Sequence, residues 1–132
     1  LNTINNDTRE ETMSRVLIVD DDIFTLETYD RILSLYGHEG LLADSGEKAL
    51  QIAGQEHPDL IILDLRMPNM DGFSILKRLR AQEATAEIPV IVVTASRDEF
   101  STRAKLEGAQ GFATKPLRAQ DLSDLIDQYA SS

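Results

Sequence analysis

Five short apolar stretches recur along the chain, and longer segments with helical spacing separate them. Three of the stretches are uninterrupted apolar runs, namely Val16–Val19, Leu60–Leu63 and Val90–Val93. Two further stretches, Glu39–Ala43 and Gly111–Thr114, are weaker. Apolar runs without polar alternation are typical of strands that are covered on both faces. The pattern therefore predicts five short strands of a parallel sheet.

The segments between the runs carry apolar residues at steps of three or four, which predicts amphipathic helices. The first helix is expected from Ile23 to Tyr36, with Asp22 as its N-cap and Gly37 as its stop signal. The second is expected from about Gly46 to Gln55. The third helix is marked by the apolar residues Phe73, Leu76 and Leu79, and the fourth by a capping box of Ser96 and Glu99. The fifth is marked by the apolar residues Leu122, Leu125, Ile126 and Tyr129.

The strict alternation of strands and helices predicts βαβ units with right-handed crossovers. The fold class is therefore α/β, with an open sheet that helices cover on both faces. In such folds ligands bind beyond the carboxyl ends of the strands, where the strand order reverses. We expect one domain over residues 15–132, preceded by a polar tail of residues 1–14 that is disordered or a linker.

Composition and charge narrow the classes of function. The chain has 132 residues, of which 42% are hydrophobic and 27% charged, as in a packed domain. Cysteine is absent and only two histidines occur, which excludes disulfides, thiolate zinc sites and multi-histidine metal sites. The net charge of −10 disfavours direct contact with nucleic acid or anionic lipid. No apolar run approaches the roughly 18 residues of a membrane span.

Polar side chains collect where the predicted strands end. Asp20 and Asp21 follow the first strand, Asp64 ends the third, Thr94 the fourth, and Lys115 follows the fifth. Carboxylates crowded at one edge repel one another by several kcal/mol at an effective dielectric constant near 20. A hard cation such as Mg²⁺ relieves this repulsion with oxygen ligands. Each residue alone could be a helix cap, a turn residue or a solvated surface group, and only their conjunction at one edge of the sheet indicates a site.

Four segments resemble the receiver domain of two-component response regulators, and the resemblance covers about Arg15 to Tyr129. The matching segments are Val16–Asp22, Ile62–Gly72, Val92–Ala95 and Gly111–Pro116. The resemblance implies a doubly wound, flavodoxin-like (βα)5 fold, in which five parallel strands have the order 2-1-3-4-5.

The resemblance also implies a phosphoryl switch. Asp64 would accept a phosphoryl group from a sensor histidine kinase or a histidine phosphotransfer protein, with Thr94 and Lys115 contacting that group. As Thr94 turns towards it, Phe112 would move inward and change the surface of the fourth helix, fifth strand and fifth helix. A tyrosine is common in this family at the position of Phe112. Because Phe112 lacks the tyrosine hydroxyl, a contact with a partner through that hydroxyl is lost, while the rotamer switch is retained. The Lys115–Pro116 peptide bond is expected to be cis.

The implied cofactor is Mg²⁺ or Mn²⁺, held by oxygen ligands. The ligand set is Asp21 and Asp64 directly, Arg66 through its backbone carbonyl, and Asp20 through water. Arg66 and Ser96 also occupy places that tune the lifetime of the phosphoryl group in this family.

The implied protein is cytoplasmic and not an enzyme beyond its own phosphorylation and dephosphorylation. It acts on a downstream protein or a fused output domain, without direct contact with nucleic acid or membrane, and a phosphorylation-dependent homodimer is a further expectation. Two alternatives stay open. One is a pseudo-receiver, an interaction module that is never phosphorylated. The other is a haloacid dehalogenase-type phosphohydrolase, because Asp20–Asp22 contains an Asp-x-Asp motif, although Ile23 and Phe24 stand where that family prefers Gly-Thr.

Overall fold

A five-stranded parallel sheet forms the centre of the computed structural model, which describes residues 13–67, 70–94 and 107–130, with only the backbone of Met67 and Met70. The strands are β1 Arg15–Val19, β2 Glu39–Ala43, β3 Leu60–Asp64, β4 Val90–Thr94 and β5 Gly111–Thr114. Their order across the sheet is β2-β1-β3-β4-β5, which confirms the predicted order. Because the order reverses between β1 and β3, ligand binding in a fold of this kind is expected in the crevice beyond the carboxyl ends of these two strands.

Four helices lie within the described residues. They are α1 Ile23–Leu35, α2 Gly46–Glu56, α3 Gly72–Ala81 and α4 Ala119–Tyr129. Helix α4 is the fifth helix that the sequence predicts, while the predicted fourth helix, with Ser96 and Glu99, lies outside the described residues. Within the described part of the chain, none of the helices combines the length and the apolar character that a bilayer crossing requires.

The core consists of two apolar layers, one on each face of the sheet. Alternate residues of β3 belong to opposite layers, since successive side chains of a strand point to opposite faces. Ile61 and Leu63 pack in the layer covered by α2 and α3, whereas Leu60 and Ile62 pack in the layer covered by α1 and α4. All four side chains are buried. Coverage on both faces explains why the strands appear in the sequence as uninterrupted apolar runs.

Helix α1 begins and ends at the expected signals. Asp22 is its N-cap and accepts a hydrogen bond from the Phe24 N–H at 3.1 Å, and Gly37 adopts a left-handed φ of +83° just after the helix. Ile23 and Tyr36, which belong to the apolar spacing, are nevertheless exposed. Ile23 lies about 90° around the helix from the buried stripe of α1, at 3.6 residues per turn. Tyr36 follows the last helical residue, so it is not held over the sheet.

Arginine contacts join the elements at the amino ends of the strands. The Arg15 guanidinium, at the start of β1, pairs with Glu56 at 2.7 Å and with Glu39 at 3.4 Å. The Arg15 backbone N–H donates to the Asp59 carboxylate at 2.8 Å. These contacts join β1 to the start of β2, the end of α2 and the segment before β3.

Arg80, in the last turn of α3, makes a second set of contacts at this edge. Its guanidinium donates to the backbone carbonyls of Gly108 at 2.9 Å, Ala86 at 3.1 Å and Thr85 at 3.3 Å. It also donates to the side-chain oxygen of Gln110 at 2.9 Å. Arg80 therefore ties α3 to the segments that lead into β4 and β5.

Candidate functional site

The turn between β1 and α1 separates two neighbouring carboxylates. The Asp20 N–H still follows the sheet and donates to the Ala43 carbonyl at 3.1 Å. The Asp22 N–H then donates to the Asp20 carboxylate at 2.9 Å, which closes a tight turn. As a result Asp20 is only 3% exposed and lies inside the crevice, whereas Asp21 is exposed at its rim.

Asp64 is the last residue of β3 and is 6% exposed. One of its carboxylate oxygens accepts a hydrogen bond from the Arg66 N–H at 3.0 Å. The chain then forms a short antiparallel pair, Arg66–Met67 with Met70–Asp71, which the sequence analysis did not predict. This pair fixes the backbone of Arg66 directly beside the Asp64 carboxylate.

Gly72 brings the start of α3 against the backbone of the site. A Cβ at this position would lie 2.7 Å from the Leu65 Cα and 3.1 Å from the Asp64 carbonyl oxygen. The Gly72 N–H donates to the Leu65 carbonyl at 3.3 Å, and Asp71 caps α3 by accepting from the Phe73 N–H at 3.0 Å. The Asp71-Gly72 turn signal in the sequence therefore marks a close approach that only glycine permits.

Three carboxylates and one ammonium group meet at the crevice. Asp20, Asp21 and Asp64 each place one oxygen within 4.8 Å of the others. The Lys115 Nζ lies 3.2 Å from Asp20 Oδ2 and 3.0 Å from Asp64 Oδ2, so it bridges the ends of β1 and β3. With all four groups ionised, one lysine leaves two of the three negative charges without a counter-charge.

Burial and pairing shift the pKa values of this cluster. Burial raises the pKa of Asp64, and this effect outweighs the Arg66 N–H and the Lys115 ammonium, which both lower it. Burial by itself lowers the pKa of Lys115, but its contacts with Asp64 and Asp20 hold that pKa above the usual value. Lys115 is therefore a cation at neutral pH, whereas burial disfavours the ionised form of Asp64, so further positive charge nearby would stabilise the Asp64 carboxylate.

The donor set at the crevice fits a hard divalent cation. The three carboxylates, together with the backbone carbonyl of Arg66, offer the oxygen ligands that Mg²⁺ prefers. Asp21 at the exposed rim leaves one side of the cluster open to water, as Mg²⁺ requires because it retains several waters.

Thr94, Phe112 and Ser96 are the remaining predicted site residues. Thr94 is buried at the end of β4, and its carbonyl accepts from the Lys115 N–H at 2.9 Å. Phe112 is half-buried on β5 and packs against the core layer under α2 and α3. Ser96 lies outside the described residues. The Lys115–Pro116 peptide bond is cis, as the resemblance implies.

Sequence reasoning missed one residue that touches this region, Tyr29 of α1. Its side chain is 8% exposed, and burial raises the pKa of its hydroxyl, on which the charges of Lys115, Asp20 and Asp64 also act. The spacing along α1 marks Tyr29 only as a core residue, since a periodic pattern carries no information about charged groups that lie far away in the chain.

Comparisons with known proteins agree with these features. A family model described as "Response regulator receiver domain" matches residues 16–127. Protein PilH of Pseudomonas aeruginosa is 34% identical to the chain over 117 residues, which cover 87% of the chain and 96% of that protein. The chain spans about half the length of several other curated relatives that it matches, transcriptional regulators among them.

Two solved structures illustrate the similarity of the fold. Chemotaxis protein CheY4 of Vibrio cholerae superposes with a TM-score of 0.83 at 30% identity, covering 89% of this chain and 98% of that one. The receiver domain of the sensor histidine kinase PA1611 of Pseudomonas aeruginosa PAO1 gives a TM-score of 0.82 at 25% identity, covering 90% and 98% of the two chains. The latter was crystallised with a magnesium ion coordinated in its active site cleft.

Proposed function

This chain belongs to the family of response regulator receiver domains of two-component systems, and on that premise we propose that Asp64 is its phosphoryl acceptor. The donor is a sensor histidine kinase or a histidine phosphotransfer protein. The observation that carries the proposal is the Asp64 carboxylate itself, which ends β3 in a crevice and contacts the Lys115 ammonium at 3.0 Å beside two further carboxylates. Family membership favours this function over a phosphohydrolase.

The residues at the crevice suit a resident Mg²⁺ or Mn²⁺ ion. Asp21, Asp64 and the Arg66 carbonyl are the direct ligands in this proposal, and Asp20 contributes through water. When bound, the ion supplies positive charge that offsets the carboxylates and the incoming phosphoryl oxygens.

The transfer step needs a nucleophile, charge neutralisation and a leaving group. An oxygen of the Asp64 carboxylate attacks phosphorus, the new O–P bond forms, and the P–N bond of the phosphohistidine breaks. The imidazole leaves as the neutral base after it takes up a proton. Lys115 and the Thr94 hydroxyl offer donors to the phosphoryl oxygens, so that positioning and electrostatics supply the catalysis. Water later attacks phosphorus, which returns the carboxylate and inorganic phosphate, and no other substrate turns over.

The phosphoryl group also supplies the signal, because its oxygens are new hydrogen-bond acceptors. Thr94 turns towards them and Phe112 fills the space that is released, so the surface of β5, α4 and the predicted helix around Ser96 changes. Arg66 and Ser96 adjust how long the phosphoryl group persists. The output is a cytoplasmic protein contact, made to a downstream protein, a fused output domain or a second copy of the chain, rather than contact with nucleic acid or membrane.

Intact-mass analysis after incubation with Mg²⁺ and acetyl phosphate tests the proposal. We expect one added phosphoryl group in the parent protein and none in Asp64→Asn or in the presence of EDTA. Asp44→Asn is the matched control, because Asp44 also follows a strand of this sheet but pairs with Lys48 at the surface, and it should be labelled like the parent. Labelling of Asp64→Asn, or no adduct with any donor, would overturn the proposal, and the latter would favour a pseudo-receiver.

A further inference from the structure

The buried carboxylate of Asp20 has a different partner at each of its two oxygens. Oδ1 accepts a hydrogen bond from the Asp22 N–H at 2.9 Å, and Oδ2 lies 3.2 Å from the Lys115 Nζ. The Asp22 N–H belongs to the backbone, so its direction depends on how the peptide group between Asp21 and Asp22 is oriented. Whatever holds the backbone at Asp22 therefore also orients the Asp20 carboxylate in the crevice.

The backbone at Asp22 is held by the start of α1. The Asp22 side chain accepts from the Phe24 N–H at 3.1 Å through Oδ1, and from the Thr25 hydroxyl at 2.8 Å through Oδ2. The Asp22 carbonyl accepts from the N–H of Leu26, whose side chain is buried in the core layer under α1. Asp22 is thus bound to the first turn of a packed helix through both its side chain and its carbonyl.

Asp22 has a different place from the three carboxylates that meet at the crevice. Asp20, Asp21 and Asp64 bring their oxygens together, whereas both oxygens of the exposed Asp22 side chain are engaged by the first turn of α1. The Asp22 side chain stabilises the start of the helix, and its backbone N–H orients a side chain of the site. Groups that orient metal ligands in this indirect way commonly change the metal affinity by about 10- to 100-fold.

We propose that Asp22 is a positioning residue, whose capping side chain sets the direction of its own N–H and thereby keeps the Asp20 carboxylate turned towards Lys115 and the cation site. The effect on phosphorylation rests on the function proposed above, whereas the orientation of Asp20 does not. Because Asp22→Ala removes the cap but keeps the N–H, we expect a moderate loss, of about 3- to 10-fold in Mg²⁺ affinity and in labelling rate.

Three variants separate this role from the effects of charge and of stability. Asp22→Ala removes both side-chain acceptors of the cap. Asp22→Asn removes the charge but keeps an acceptor, and asparagine is as good an N-cap as aspartate. Ser45→Ala is the matched control, because Ser45 caps α2 just after the edge strand β2, where its hydroxyl oxygen accepts from the Lys48 N–H at 3.3 Å.

Three readouts are compared at a temperature where circular dichroism shows all proteins folded. Protection of the residue 22 amide from hydrogen exchange, relative to its intrinsic rate, reports on the bond to Asp20. An NMR titration with Mg²⁺ alone gives the affinity for the cation. Intact-mass analysis at a fixed Mg²⁺ concentration gives the rate of labelling by acetyl phosphate.

In Asp22→Ala the residue 22 amide should lose protection, Mg²⁺ should bind about 3- to 10-fold more weakly, and labelling should slow by a similar factor. Asp22→Asn should retain values close to those of the parent, and Ser45→Ala should match the parent. Parental values in Asp22→Ala, equal losses in Asp22→Ala and Asp22→Asn, or an equal loss in Ser45→Ala would overturn the positioning role. If the parent itself is never labelled, the proposed function fails, but amide exchange and the Mg²⁺ titration still decide whether Asp22 orients Asp20.

Discussion

Arg80 should contribute far more to stability than Arg78, although both arginines lie in the last turn of α3. The Arg80 guanidinium donates to three backbone carbonyls and to the Gln110 side chain, over distances of 2.9 to 3.3 Å. Arg78 makes one ion pair with Glu47 at 3.0 Å, with side chains that are 46% and 71% exposed. Replacing each arginine by alanine therefore compares a set of half-buried contacts with a surface pair.

The structure sets the expected size of the two effects. A hydrogen bond from a charged donor contributes about 1.5–3 kcal/mol when its loss leaves a buried acceptor unpaired, and less where water can replace it. The four acceptors of Arg80 are partly reachable by water, so we expect Arg80→Ala to lower the free energy of unfolding by about 2–4 kcal/mol in total. Arg78→Ala should change it by about 0.5 kcal/mol or less. Arginine and alanine have similar helix propensities, so the difference reflects these contacts.

Urea unfolding followed by far-UV circular dichroism measures the difference, since the chain has no tryptophan. Arg80→Lys is the third variant and should recover less than half of the loss, because a single ammonium group cannot reach acceptors on two separate segments. Equal midpoints for Arg80→Ala and Arg78→Ala, or a neutral Arg80→Lys, would refute the reasoning.

Three further predictions concern other parts of the fold. Gly72→Ala should lower the free energy of unfolding by about 1–3 kcal/mol and slow labelling by acetyl phosphate, because its Cβ would collide with the Leu65 backbone; parental values for both measurements would contradict this. His57 caps α2 in the left-handed region with a φ of 49°, so His57→Gly should raise the free energy of unfolding in urea by about 0.5–1 kcal/mol, and a decrease would be evidence against strain. Burial lowers the pKa of His38, whose Nδ1 accepts from the Ser14 N–H at 2.9 Å. The unfolded chain therefore binds the proton more readily, and stability should fall as the pH drops below about 6.5 towards the lower folded-state pKa. Urea midpoints at pH 7.5 and 5.5 should thus differ more in the parent than in His38→Asn, and equal differences would refute the assignment.

The strands could be predicted almost to the residue, because burial on both faces leaves an unambiguous apolar signal. The runs Leu60–Leu63 and Val90–Val93 became strands that extend by one residue each, to Asp64 and Thr94. Those added residues are the polar ones, since backbone pairing continues for one position beyond the end of the apolar core. The last paired position of each of these two strands therefore carries a polar side chain of the candidate site.

The meeting of Asp20, Asp64 and Lys115 could also be predicted, because the carboxyl ends of parallel strands share one edge of the sheet. The sequence could not predict that one lysine bridges both carboxylates, since this depends on the reach of a flexible side chain. Nor did it indicate the short antiparallel pair after Asp64, whose strands of two residues are too short to show a period.

The contacts of Arg80 were beyond sequence reasoning for a different reason. Arg80 meets acceptors as far as 30 residues along the chain. A hydrogen bond to a backbone group is independent of the acceptor's residue type. It therefore leaves no trace in the pattern of apolar and polar positions.

The contacts of Arg15 and Arg80 lie at the amino ends of the strands, across the sheet from Asp64. A substitution at either arginine should change how many folded molecules a cell maintains, because less stable chains are cleared sooner. A substitution at the opposite edge should change how each molecule responds to its input. In a signalling circuit the amount of a component and its sensitivity are separate settings, and the contacts of Arg15 and Arg80 bear on the first from the edge of the sheet that lies away from Asp64.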